Sequence, residues 1–280
     1  MAGLAPLAGS CGIQVNELAT IIVLCRNNPA ALIETLYSVC SQDTFCELLI
    51  LDGSDNTSCQ MALDTFRHRG KLVYLQAPPD GPYAAMNAAL ALVSTPWLQF
   101  LHSGDAFADS FCLGELLNQA KNLETSSDLR PAAVFGQAWI EAPEPMKLRW
   151  LSPDPQMRKL SRWLRLMVPC HQSVLFSTSW AQQHPYDLRS QVCADRPVMR
   201  LALASAGDKA YLPRPICRYK LNGLSSRLPN LSELFSRLAE PDRRPLERLG
   251  ELGKFMLSPL GTHYFKLMRI RAKFIGWLCR

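Results

Sequence analysis

The sequence predicts an α/β fold, a mostly parallel sheet flanked by helices, with a helical C-terminal tail. Three observations point there. The runs at 19–24 (A-T-I-I-V-L), 47–51 (E-L-L-I-L), 71–76 (K-L-V-Y-L-Q) and 97–101 (W-L-Q-F-L) are short and mostly apolar, as strands covered on both faces are. Segments of helical spacing alternate with them, and such alternation requires crossover connections and parallel strands. Three of the runs lead into polar turns, C-R-N-N, D-G-S-D and H-S-G-D. In open α/β sheets ligands bind beyond the carboxyl ends of the strands, so Arg26, Asp52 and Asp105 are expected at one crevice.

The elements follow in order. After the Asn27-Asn28-Pro29 turn, Leu32, Thr35, Leu36 and Val39 recur at helical spacing, which predicts a helix over 31–41. Helices are expected over 57–69 and 83–93. Residues 81–104 hold no Asp, Glu, Lys or Arg, a length sufficient to cross a bilayer. Asn87, Ser94, Pro96 and Gln99 argue for a buried helix and a strand instead, because lipid offers the polar groups no water. A helix over 111–123 and a strand over 132–140 follow, then a proline-rich, basic stretch from 143 to 169. The cluster P-C-H-Q at 169–172 precedes a strand over 173–176, Asp195 precedes a helical run over 198–206, and the chain reads as helical beyond Asn230.

Composition excludes several classes. At 280 residues, 48% hydrophobic and 19% charged, the chain can bury the core of one large or two modest domains, so disorder and fibrous repeats drop out. No period of 20 to 50 residues marks a solenoid or propeller. Residues 1–146 carry 6 basic and 15 acidic side chains, residues 147–251 carry 18 and 9, and the last 29 carry 6 basic and none acidic. An acidic front half beside a basic middle suits a site for a metal and a phosphate, and equally suits unevenly charged helix surfaces. The ten cysteines are scattered, without C-x-x-C spacing, and read as reduced thiols of a cytoplasmic protein. Residues 1–14 lack a basic segment and a long apolar core, so no signal peptide is expected there. No basic patch interleaved with stacking aromatics points to nucleic acid.

An Asp closing a buried strand can bind a ribose or a base edge, which makes Asp52 a nucleotide-contact candidate; an Asx turn is the alternative. Asp105 reads as a helix cap or a metal ligand. Asp195, before Arg196 and Pro197, suits a helix N-terminus. His171 suits a satisfied core hydrogen bond, and with Gln172 forms a second polar cluster.

Read in order, I-I-V-L-C-R-N-N, S-V-C-S-Q, L-L-I-L-D-G-S-D-N-T, Y-A-A-M-N-A-A-L, F-L-H-S-G-D, P-C-H-Q-S-V-L-F, A-D-R-P-V-M-R-L and Y-K-L-N-G-L-S-S resemble a family 2 glycosyltransferase of the GT-A (Rossmann-like) fold, closest to the bacterial polysaccharide branch. The resemblance covers about residues 19 to 226. It implies a nucleotide-sugar-binding half at 19–110, an acceptor-binding half at 111–229, an N-terminal extension at 1–18 and a basic helical tail at 230–280. It implies transfer of a sugar from a nucleotide-diphosphate sugar to a glycan or lipid-linked acceptor, inverting by single displacement, in surface polysaccharide biosynthesis. Arg26, Asn27, Asp52, Ser54, Asn87, Ser103, His171, Gln172 and Arg227 are the expected nucleotide and substrate contacts, Asp105 the ligand of a divalent Mn2+ or Mg2+, and Asp195 the catalytic base. The chain departs from the pattern at Ser103-Gly104-Asp105, which keeps one carboxylate of a D-x-D, and at Ala84 and Pro79, where the branch carries acidic residues. Those departures favour the alternative, a catalytically inactive GT-A-like binding module, whereas Asp52, Asp105 and Asp195 together favour the enzyme.

In the tail, Lys266, Arg269, Lys273 and Arg280 share one face of a helix over 262–280, and Leu267, Ile270, Phe274, Ile275 and Leu278 another. Such a helix suits an anionic membrane surface, each cation contributing about 1 kcal/mol, and equally suits packing on the protein's own core.

Overall fold

The computed structural model describes residues 17–64, 66–77, 80–127, 130–143, 146–152, 168–190, 193–206, 210–221, 231–239, 245–257 and 265–270. Its first half alternates strand and helix: β1 (Ala19–Cys25), α1 (Pro29–Cys40), β2 (Glu47–Asp52), α2 (Ser58–Leu63), β3 (Leu72–Gln76), α3 (Pro82–Leu90) and β4 (Trp97–Phe100). Then come β5 (Ala106–Phe107), α4 (Cys112–Ser127), β6 (Ala133–Glu141), β7 (Arg149–Leu151), a turn of 3-10 helix (His171–Ser173), β8 (Val174–Ser177), α5 (Thr178–Gln183), α6 (Asp195–Ala206) and β9 (Tyr211–Lys220). The helices α7 (Leu231–Ala239) and α8 (Pro245–Leu257) close the chain, followed by a helical segment at 265–270.

Among the described residues one nine-stranded sheet runs in the order β3-β2-β1-β4-β8-β6-β9-β5, with β7 paired to β6. The ladders joining β3, β2, β1 and β4 are parallel, as the alternation predicts. Beyond β4 the sheet is mixed: β8 lies antiparallel to β4 and β6, while β6 and β9 pair in parallel. Most paired residues therefore lie in parallel ladders, and the antiparallel pairs fall where the sequence pattern loses its regularity.

The apolar strands are buried on both faces, and the period of two sorts their side chains. Ala19, Ile21, Val23, Leu48 and Ile50 enter one core with Leu32 and Leu36 of α1 and Leu113 and Leu116 of α4. Ile22, Leu49, Leu51, Leu98 and Phe100 enter the other with Met86 and Ala89 of α3 and Val198 and Met199 of α6. Each fully buried Ile, Leu or Phe contributes about 1.5–3 kcal/mol by leaving water, so strand ends and the turns beyond them sit on a rigid base.

One helix is shorter than its pattern. The expectation over 57–69 gives way to a helix ending at Leu63. Past it the Arg67 guanidinium donates to the carbonyls of Asp64 and Phe66 at 3.0 and 2.9 Å, and His68 Nε2 lies 2.7 Å from the Cys46 carbonyl. Those bonds draw 66–70 out of the helix and onto β2.

Candidate active site

The turns after β1 and β2 are stitched together. Asn27 sits at φ 52, left-handed backbone that Asn tolerates better than most residues. Its N–H donates to Ser54 Oγ at 2.7 Å, and its Oδ1 accepts from Asp55 N and from Asn56 Nδ2 at 3.3 and 3.2 Å. Asn28 caps α1 by accepting from Ala31 N at 3.1 Å, with Pro29 in the first helical turn. Arg26 is exposed beside them.

Asp52 is 0% exposed. One carboxylate oxygen accepts from Ser54 N at 2.8 Å and from the Ser54 hydroxyl; the other accepts from Tyr74 Oη at 2.6 Å. The Asx turn is therefore formed, and a direct nucleotide contact at Asp52 needs Tyr74 or Ser54 to give up a bond. Gln76 Nε2 donates to Ser54 O at 2.7 Å, tying the same turn to β3.

The loop after β4 is built on Thr35 of α1. Gly104 adopts φ +98, which a side chain would strain. Its N–H donates to Thr35 Oγ1 at 2.9 Å, and that hydroxyl donates to Asp105 O at 2.7 Å. Asp105 is 4% exposed; its Oδ1 accepts from Lys220 N at 3.0 Å, and the Gln172 side chain bonds the same carboxyl. Burial pushes Asp105 up to about 8, against the pull of the Lys220 N–H, the Gln172 amide and the Lys220 charge. Ser103 Oγ is buried, with no hydrogen-bond partner among the described residues. The loop therefore carries a buried carboxyl and, two residues before it, an orphaned buried hydroxyl, and oxygen donors are the kind that Mg2+ or Mn2+ takes.

Asp195 opens α6, where its charge favours the helix N-terminus. Its Oδ1 accepts from Tyr83 Oη at 3.1 Å, and Tyr83 Oη accepts from Cys193 N at 2.8 Å. The Tyr83 ring stacks on Tyr186 at 5.7 Å, and Tyr186 Oη lies 2.8 Å from His171 Nε2. Burial holds His171 neutral, down at about 3. The rings of His171 and His102 stack 6.3 Å apart. His102 is lowered to about 4, by burial first and by His171 second, while Asp195 works to raise it. The Asp195 charge thus reaches a residue three positions before Asp105.

The sequence candidates divide by what they touch. Asp105 and Gln172 bond each other beyond β4, with Ser103 in the same loop, and Asp195 stands apart at the start of α6; Arg26, Asn27, Ser54 and Asp52 form the turns beyond β1 and β2. Asn87 spends its amide on the chain at Tyr186, accepting from its N–H at 2.8 Å and donating to its carbonyl at 2.9 Å. His171 lies in an aromatic cluster with Phe100 and Phe176 at 5.3 and 5.6 Å. Arg227 and Pro79 lie outside the described residues. Sequence reasoning missed Tyr83, Tyr186, His102 and the Lys220 N–H. Tyr83 and His102 stand inside the motifs Y-A-A-M-N and H-S-G-D, whereas nothing local marks Tyr186, which a clamp from Asn87 positions 99 residues away.

A parallel α/β half with polar turns beyond the carboxyl ends of its strands, continued by a mixed sheet, is the architecture of a GT-A-type glycosyltransferase fold. The glycosyl transferase family 2 model matches residues 20–184, and the chain belongs to that family of enzymes. No curated protein sequence matches it. S. aureus TarS shares the fold, at a TM-score of 0.54 and 13% identity over 87% of this chain and 44% of TarS. A TarS 1–349 structure with UDP-GlcNAc gives 0.53 at 14% identity, covering 85% of this chain and 71% of that one. The mannosyltransferase PcManGT from Pyrobaculum calidifontis, with GDP-Man and Mn2+, gives 0.50 at 13% identity, covering 88% and 65%. The chain thus spans less than half of full-length TarS.

Proposed function

We propose that this chain transfers a sugar from a nucleoside-diphosphate sugar to a hydroxyl of a glycan or lipid-linked acceptor, inverting the anomeric centre by single displacement, in surface polysaccharide biosynthesis. The observation that carries the reading is Asp195, fixed at a helix N-terminus by the Tyr83 hydroxyl. Asp195 takes the acceptor's hydroxyl proton as its oxygen attacks the anomeric carbon; the bond from that carbon to the phosphate oxygen breaks, and nucleoside diphosphate leaves. Asp105 and Ser103 Oγ are the groups that would hold Mn2+ or Mg2+, and a divalent ion supplies charge neutralisation for the leaving diphosphate. Arg26, exposed beyond β1, and Arg227 are assigned to the phosphates. Asn27, Ser54 and Asp52 shape the nucleotide wall, and Gln172 orients Asp105. His171 and Asn87 support substrate through Tyr186. Family membership and relatives whose structures hold UDP-GlcNAc or GDP-Man with Mn2+ support the donor class.

The same reading puts the enzyme on the cytoplasmic face of a membrane. No helix among the described residues is long and apolar enough to cross one. Phe235 of α7, Met256 of α8 and Ile270 nevertheless stand exposed at 64, 77 and 61%, and no acidic residue follows Glu251. An apolar, basic end of this kind suits insertion among anionic headgroups.

The competing reading, a GT-A module that binds without transferring, draws on the lone, buried Asp105 and on Ala84 in α3. Calorimetry with nucleoside diphosphate and Mn2+ tests the metal assignment: Asp105→Asn should abolish manganese-linked affinity, and unchanged affinity removes Asp105 from the metal. Nucleotide affinity without turnover of any donor supports the inactive module.

A further inference from the structure

A cluster of metal-ligating side chains of different chemistry is buried where β1 and β2 end. Cys25 ends β1 and Asp52 ends β2, and the two are partners in the parallel ladder. Their side chains therefore project to the same side of the sheet, the side on which Cys59 of α2 is buried. The two thiol sulfurs and a carboxylate oxygen lie within 4.8 Å of one another. Ligands spaced tetrahedrally around zinc at a metal–sulfur distance of about 2.3 Å sit about 3.8 Å apart, so closing the cluster needs movements of about 1 Å.

We propose that Cys25, Cys59 and Asp52 form a site for a thiophilic divalent cation of the zinc class, with Ser54 Oγ or a water as fourth ligand. Four observations carry it. First, the Asp52 carboxylate is fully buried, and the groups that hydrogen-bond it, Ser54 N, Ser54 Oγ, Tyr74 Oη and the Cys25 thiol, are all neutral. A carboxylate shut away from water without a cation is costly, and a bound divalent ion would give it a direct counter-charge. Second, the thiols are already in contact with the other proposed ligands. Cys25 hydrogen-bonds Asp52 and Cys59, its Sγ reaches the Leu51 carbonyl only at 3.9 Å, and Cys59 Sγ accepts from Ser54 Oγ at 3.5 Å. Third, Ser54 Oγ already lies against Asp52 and Cys59, so an oxygen to serve as fourth ligand is at hand. Fourth, two sulfur donors with one carboxylate suit zinc, cadmium or cobalt, whereas the oxygen donors at Asp105 and Ser103 suit magnesium or manganese. The two sites thus sort cations by ligand softness.

Binding is an acid–base exchange without redox change. Two S–H bonds break, two metal–sulfur bonds form, and two protons pass to solvent for each cation bound. The resulting centre carries two thiolates and a carboxylate against the 2+ charge, a net of one negative charge. The inference does not depend on the assigned sugar transfer, because every readout is of metal and thiol.

The test is a cobalt titration of the chelator-treated, reduced full chain. One equivalent of Co2+ should give a near-ultraviolet thiolate-to-cobalt charge-transfer band and an intense visible spectrum of tetrahedral geometry, both displaced by Zn2+, with two protons released per ion. Cys25→Ser and Cys59→Ser should each weaken Co2+ affinity at least tenfold, and Asp105→Asn should leave it unchanged. Wild-type protein alone gives a second readout if the serine variants fail to fold. X-ray absorption of the zinc form should show two sulfur ligands. Mass-spectrometric mapping, at a temperature where metal-free protein alkylates, should show that zinc shields Cys25 and Cys59. No charge-transfer band at stoichiometric Co2+, a band that survives both serine variants, or zinc shielding other cysteines would overturn the site.

Discussion

Tyr83 does more at the residue scale than its place in a helix suggests. Its hydroxyl takes the Cys193 N–H and gives its own proton to Asp195, so it positions the proposed base without touching the reacting atoms. Tyr83→Phe keeps the ring on Tyr186 but removes both bonds. A hydrogen bond to a charged group contributes about 1.5–3 kcal/mol, so kcat should fall roughly 10- to 100-fold while the donor's KM stays close to wild type. An equal rise in KM, or an unchanged kcat, contradicts the positioning role. The carboxylates were legible in the sequence because each stands at a strand end or a helix start. What those carboxylates rest on was less legible. Asp52 reads as a nucleotide contact, yet its bond to Tyr74 spans 22 residues and pairs neighbouring strands, a consequence of register that no local motif encodes. Asn87 likewise reads as a substrate group and proves to be a backbone clamp.

At the scale of elements, β1 through β4 were legible because apolar runs bounded by polar turns can only be buried strands. The end of α2 was not. Gly70 explains part of this: a Cβ there would stand 2.1 Å from Glu17 Oε1 and 2.4 Å from the Cys46 carbonyl, a close approach that holds the segment against β2. The loop after β4 depends in the same way on a partner far along the chain. Thr35, buried in α1, bonds both Gly104 and Asp105, yet in sequence it reads only as a helix-face residue. Thr35→Val keeps the shape but takes the hydroxyl from the Asp105 carbonyl and leaves the Gly104 N–H to the Ala31 carbonyl alone, at a cost of about 1–3 kcal/mol. Melting should drop by about 3–8 °C, and manganese-linked nucleoside-diphosphate affinity should weaken with it. A variant that melts and binds as wild type does would remove Thr35 from the account of the loop.

The whole molecule pairs an acidic front half with a basic end, and the end is where the sequence left two readings open. Leu267 and Ile270 are 43 and 61% exposed, as a surface-docking helix requires; residues 271–280, with Phe274, Ile275 and Leu278, lie outside the described residues. Full-length protein should sediment with anionic vesicles at low salt, release at high salt where charges are screened, and ignore neutral vesicles. Deleting 262–280 should abolish that binding with little change in melting. Protein that stays in the supernatant with anionic lipid, or a deletion that melts far lower, returns the helix to the core.

The central claim is that Asp195 drives sugar transfer from a nucleotide donor. Release of nucleoside diphosphate from a panel that includes UDP-GlcNAc and GDP-mannose, with Mn2+ and a lipid extract as acceptor source, tests it most directly when wild type and Asp195→Asn are compared. The account predicts release from at least one donor by wild type. The variant should bind that donor equally well and turn it over roughly 100-fold more slowly or worse, the scale of a lost general base. Equal release by both proteins, or a wild type that binds and turns over no donor, would contradict it.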